Sequence, residues 1–204
     1  MIAPIVPRAT AARFGEVVEG SVERLLGQCH RLYDAPVLGT LVRAGESVYA
    51  VVEGVETVAL DPTRPIVARG AEAASEAEVY AEHPQLERLL RTQVTLSVVG
   101  HRDGADVRQY LPPLPPRIHT FLYVCPAEEV RGFFAGGRAD FASLLIRRGL
   151  PAGDDVLAAV LRQASAAFDA PGDFLLGASR SVASLLAGDT ARLNAIVRRL
   201  PLGA

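Results

Sequence analysis

Four prolines within ten residues constrain this chain more than any other feature. They lie in Tyr110-Leu-Pro-Pro-Leu-Pro-Pro-Arg-Ile-His119. Each proline fixes φ and removes a backbone donor, so the stretch can be neither helix nor central strand and must cross in an extended, polyproline-like form. It also divides two textures. Before it, valine-rich segments are punctuated by glycine; after it, apolar residues recur at helical spacing. The division predicts a flexible arm over 1–12, a β-barrel over 13–112 with an inserted helix, a proline strap over 113–119, and an α-helical bundle over 120–204.

In the first half, Phe14–Val22, Val37–Arg43 and Ser47–Val58 have strand composition. Ala44-Gly45 reads as a turn, and Gly54 as a bulge or bend inside the longest strand. Leu60-Asp-Pro-Thr-Arg-Pro65 ends that strand. Residues 68–82, rich in Ala and Glu, read as helix or loop. His83-Pro-Gln-Leu86 reads as a helix start, with Leu86, Leu89 and Leu90 on one face. Thr92–Val99 returns to strand, and Asp103-Gly104 turns the chain so that Val107–Leu111 pairs back as a hairpin. Short strands with Gly-rich turns predict a small antiparallel barrel.

In the second half, Pro126 with Glu128 and Glu129 suits the positive end of a helix. Asp140, Asp154 or Asp155, Asp173 and Asp189 stand where N-caps belong, and Gly149 and Gly188 where helices stop. About five short helices follow. The predicted class is therefore α+β, a barrel followed by a helical bundle. A chain of 204 residues and 21.7 kDa is long enough to bury a core without a metal or disulfide.

Composition narrows the chemistry. All 21 basic residues are arginine. A phosphate-loop lysine, a Schiff-base lysine and a lysine general base are thereby excluded. The net charge of −2 gives no basic footprint for duplex nucleic acid. Two cysteines make no secreted disulfide framework. The N-terminus lacks a signal-peptide layout, and no apolar run reaches membrane-spanning length, so the chain reads as cytoplasmic with no membrane partner.

The candidate metal ligands are Cys29, His30, His83, His101, His119 and Cys125. None has zinc-site spacing, so they read as buried thiols and loop histidines, and no metal or cofactor is expected. Gly177-Ala-Ser-Arg-Ser181 approaches a nucleophile motif but lacks its last glycine and falls in a helical pattern, so no catalytic residue is assigned. Glu128-Glu129 and Asp154-Asp155 read as helix-start residues. Tyr110, Pro112, Pro113, Arg117 and His119 form a candidate interaction or junction site. His119 reads either as a contact or pH-responsive residue, or, preferentially, as a histidine hydrogen-bonded to hold barrel against bundle. Arg147, Arg148, Arg192, Arg198 and Arg199 are the candidate nucleic-acid contacts; a solvated helix face is the plainer reading.

At Gly39-Thr-Leu-Val-Arg43, Val48-Tyr-Ala-Val-Val52, His83-Pro-Gln-Leu86 and the proline stretch 110–119, the chain resembles a bacterial family named for its HAS barrel. That barrel is shared by HerA-type DNA translocases and F-type ATP synthase subunits. The resemblance implies an N-terminal barrel and a helical C-terminal region. It implies no ATPase, since no phosphate-binding loop is present. The expected function is a non-enzymatic interaction or assembly module, through a protein partner or self-association, accessory to a ring-forming DNA-translocase ATPase. Weak nucleic-acid binding and an unrecognised hydrolase are the alternatives.

Overall fold

The computed structural model describes residues 11–147 and 152–201. All but the last two residues of the expected arm lie outside them. The fold is α+β. Seven antiparallel strands form one sheet: β1 (Arg13–Gly20), β2 (Arg24–Cys29), β3 (Leu41–Ala44), β4 (Val48–Ala59), β5 (Leu90–Asp103), β6 (Asp106–Arg108) and β7 (Phe121–Val124). Their order is β2-β1-β7-β3-β4-β5-β6, and β2 also pairs with β5. Six strands thus follow one another in a closed circuit of pairings. Two features depart from a plain barrel. β6 hangs outside the circuit as a hairpin on β5, and the far ends of β4 and β5 run on as a two-stranded arm pairing Thr57–Ala59 with Leu90–Thr92.

Local chemistry accounts for the turns. The β1–β2 turn is closed by Ser21, whose Oγ accepts from Arg24 N at 3.1 Å. Gly45 and Gly104 have positive φ in the two other tight turns, as glycine permits. The register slips between Val52 and Gly54, as a bulge at Gly54 requires. β2 and β7 are absent from the sequence expectation. β7 is the larger correction, because it lies after the prolines yet sits between β1 and β3. The sheet therefore crosses the expected boundary at 112–120. Four residues are too few to show a strand period beside a helical pattern.

Period-two alternation sorts the strands into two cores. On β4, Val48, Ala50 and Val52 face the inside of the circuit with Val94, Leu96 and Val98 of β5 and with Val17, Leu25 and Leu122. That interior is narrow. A Cβ on Gly27 would stand 2.4 Å from Leu122 Cδ1. The opposite residues, Tyr49 and Val51, join the second core, which continues into the C-terminal helices. The helices are thus packed on the sheet's outer face through one shared apolar layer.

Two short helices follow β4: α1 (Glu76–Glu82), capped by Ser75, and α2 (Leu86–Leu89). After β7 come α3 (Ala127–Phe133), α4 (Ala142–Arg147), α5 (Gly153–Ser165), α6 (Pro171–Leu185) and α7 (Thr190–Val197). Asp189 caps α7, accepting from Arg192 N at 3.0 Å. Asp154, Asp155 and Asp173 stand in first turns rather than at caps. Pro171 opens α6 two residues before Asp173, because proline suits a position whose N–H would be unpaired anyway. α5 is central and packs on α4, α6, α7, β3 and β4. Its approach to the sheet depends on Gly39, whose φ is +82° and where a Cβ would meet Ala159 C at 2.4 Å. Among the described residues no helix is long and apolar enough to cross a membrane.

Candidate functional site

The proline strap leaves β6 and enters β7, so it connects two strands of the sheet. Leu111 packs on the inner core and Pro112 is buried. At its near end, His101 Nδ1 lies 3.2 Å from Tyr110 O, and the two rings meet edge to face at 5.1 Å. At its far end, His119 N donates to Val17 O at 2.8 Å, and Val17 N donates to Thr120 O at 2.9 Å. The backbone is held at both ends while its outer side stays bare. Tyr110 is 55% exposed, Leu114 75% and Ile118 49%. Pro113 and Arg117 are exposed as well. A groove of about 750 Å³ runs between the strap and the β3–β4 turn, lined in part by Tyr110, Pro112 and Pro113.

His119 corrects the preferred reading of it. Its side chain is exposed, and Nδ1 lies 3.2 Å from Glu16 Oε2 on β1. It braces the strap against the sheet and does not join sheet to helices. Its φ of +65° is unusual for a residue with a Cβ. The backbone pairing on both sides of it, to β1, fixes that conformation.

The C-terminal arginines divide. Arg192 grips Asp154 with Nε at 2.9 and 3.0 Å and Nη2 at 2.7 Å. Arg199 Nε lies 2.7 Å from Asp155 Oδ1. Arg192 ties α7, and Arg199 the residues just beyond it, to the start of α5, where the aspartates also favour the helix dipole. Arg147 and Arg198 are exposed. Arg148 lies outside the described residues.

Cys29 and Cys125 are free and buried in different cores. Burial, and after it Asp34, pushes the Cys29 thiol up to about 11. Burial, and after it Glu129, pushes Cys125 up further. Both stay protonated at neutral pH. Among the described residues no three His, Cys, Asp or Glu side chains come together as a metal site. Ser179 and Ser181 lie inside α6, beside Gly177, whose added Cβ would stand in ordinary contact with Gly137 Cα at 3.7 Å.

Sequence reasoning missed a buried polar cluster on the sheet's outer face. Glu129, in the first turn of α3, points its Oε1 at the sheet. Tyr49 Oη donates to it at 2.8 Å, and Arg43 Nε lies 2.9 Å away but off the line of its N–H. Arg43 also donates to Gly45 O, and its guanidinium stands 5.2 Å from the Tyr123 ring centroid. Arg102 Nη2 donates to Tyr49 Oη at 2.6 Å and lies 3.7 Å from Glu129 Oε1. Burial first, then the Glu129 carboxylate, pushes the Tyr49 phenol up to about 12. One signal is in the sequence: Arg43 interrupts the apolar strand Leu41-Val-Arg-Ala44, and a charge buried there needs a partner. The cluster floors a cavity of about 790 Å³ beneath α3.

No protein-family model and no curated protein matches the chain.

Proposed function

We propose that this protein is a cytoplasmic, non-enzymatic interaction and assembly module that presents its proline strap to a protein partner. The observation that carries the reading is the exposure of Tyr110, Leu114 and Ile118 on a backbone already pinned to β1 and β5. Apolar side chains on a preordered segment lose little entropy on binding, which favours docking, and extended proline-rich segments are a recurring recognition form. The closed circuit of six strand pairings supports the resemblance to the HAS barrel. On that resemblance the partner is a ring-forming DNA-translocase ATPase of the HerA type.

Two observations weigh against the alternatives. The paired His119 and Glu16 lie on open surface, without a cleft to exclude water from a hydrolytic step. Of the arginines proposed for nucleic acid, Arg192 and Arg199 are neutralised by α5 aspartates. The test is affinity capture from native extract, with and without nuclease, using wild type and Leu114→Asp/Ile118→Asp. A stoichiometric ATPase retained after nuclease and lost with the variant is expected. Partners lost on nuclease treatment, or captured equally by the variant, would overturn the reading.

A further inference from the structure

We infer that the open edge of the β4–β5 arm is a docking site for an extended partner segment in which apolar residues alternate with basic ones. The edge follows from the pairing. β3 and the residues before it flank β4 only as far as Val52, whereas β5 runs beside it to Ala59. Leu60 N donates to Leu89 O at 2.8 Å. By period two, Val58 and Glu56 also bond to β5, and the backbone groups of Val55, Thr57 and Ala59 point the other way. Among the described residues no backbone group meets them there. Their N–H and C=O groups thus stand in strand geometry without a neighbouring strand. Native edges are blunted by charge, proline or a covering element. Val55–Ala59 carries no proline and one charge, Glu56, whose backbone faces β5.

The side chains select the strand that fits. Val55, Leu60, Ile66 and Val67, on the arm and just after it, are between 48% and 66% exposed. A groove of about 250 Å³ opens on the Thr57 side of the arm, walled by Tyr33, Ile66, Val67, Val79 and Tyr80. Alternate side chains of an added strand can enter it. The charge is one-sided. Residues 55–92 hold seven Asp and Glu against four Arg, and the remaining chain sixteen against seventeen. The ion pair of Asp61 with Arg64 leaves that balance unchanged, and Arg31 and Asp34, either side of Tyr33, cancel. The Tyr80 phenol is pushed up first by its hydrogen bond to Tyr33, then by burial, and also by Glu76 and Glu87, which puts two of the anions at the groove. An acidic arm opposes pairing with a second copy of itself and favours a basic strand. The site is distinct from the strap, and its failure would leave the strap proposal standing.

The probe is a fluorescent peptide of about seven residues alternating arginine and valine, long enough for the edge at about 3.4 Å per residue. It is titrated against the whole chain by anisotropy, with a glutamate–valine peptide as control. Saturable binding of the basic peptide at one per chain, weakened by salt, is expected, and none of the acidic one. Hydrogen exchange read by NMR is expected to show the Val55, Thr57 and Ala59 amides open in the chain alone and protected in the complex, with those of Glu56 and Val58 protected in both. Val55→Pro removes an outward N–H and no ladder bond, and is expected to weaken binding at least about fivefold, as loss of one hydrogen bond requires. Glu76→Gln/Glu87→Gln, two exposed changes, is expected to weaken it about two- to threefold. Leu114→Asp/Ile118→Asp on the strap is expected to leave it unchanged. Absence of saturable binding, equal binding of the two peptides, or binding without protection at Val55, Thr57 and Ala59 would overturn the inference. So would an affinity unmoved by both arm variants, or protection of those three amides in a dimer of the chain alone.

Discussion

Replacing Glu129 by alanine should be among the most damaging single changes in the protein, although Glu129 belongs to no apolar core. The carboxylate lies 2.9 Å from the Nε of Arg43, whose side chain is 7% exposed, and it accepts from Tyr49, which is fully buried. Removing it leaves a buried guanidinium uncompensated, at a cost of about 3–5 kcal/mol. The orphaned Tyr49 hydroxyl adds to this unless water accepts its proton, at about 1–3 kcal/mol for an unmade buried hydrogen bond. Taking the lower figure alone and a urea slope of about 2.5 kcal/mol/M for a chain this size, the midpoint falls by at least about 1 M. Glu129→Gln keeps the acceptor and loses the charge, so it should sit between wild type and alanine. Arg43→Met in the Glu129→Ala background should recover part of the loss, because the buried charge is then gone. Equilibrium urea unfolding of the four proteins, followed by circular dichroism, ranks them. A Glu129→Ala midpoint within about 0.2 M of wild type, or no recovery on adding Arg43→Met, would mean that Glu129 does not compensate a buried Arg43.

Stability should decline between about pH 10 and 12. Tyr49 has its phenol pushed up to about 12 when folded and ionises near its ordinary value of about 10 when unfolded. In that window the folded state holds the extra proton, so rising pH favours unfolding by up to about 2 kcal/mol. Tyr49→Phe should flatten the pH profile there, and an unchanged slope would count against the burial argument. Gly39→Ala should cost more than about 2 kcal/mol, because it combines a positive φ with a clash into the α5 backbone; thermal unfolding would show a fall of at least about 4 °C. Arg192→Ala should cost about 1 kcal/mol through its partly buried bidentate contact with Asp154. It should leave any nucleic-acid retention on a filter-binding assay unchanged.

Much of the fold was legible because strand alternation and helix periodicity are local. The hairpin from β3 to β4, the bulge at Gly54, the turn at Asp103-Gly104 and the Asp189 cap all follow from residues within a few positions of one another. What escaped depends on distant partners. β7 is four residues long and is a strand because β1 and β3 flank it. The same holds for the polar cluster: Glu129 reads as a helix-start glutamate until α3 is laid on the sheet and brings Arg43, Tyr49 and Arg102 beneath it. His119 shows the opposite error. Its place after the prolines suggested a domain junction, but the strap links two strands of one sheet and the imidazole answers to Glu16.

The bare face of the proline strap is proposed above as a docking surface. A photo-crosslinking residue placed at Leu114, and in a separate protein at Leu176, tests it in native extract. Leu176 is an exposed leucine on α6 with 48% exposure, against 75% for Leu114, so stickiness alone would label both. One discrete protein adduct is expected at position 114 and none at 176. Equal labelling at the two positions, or no adduct at 114, would contradict it.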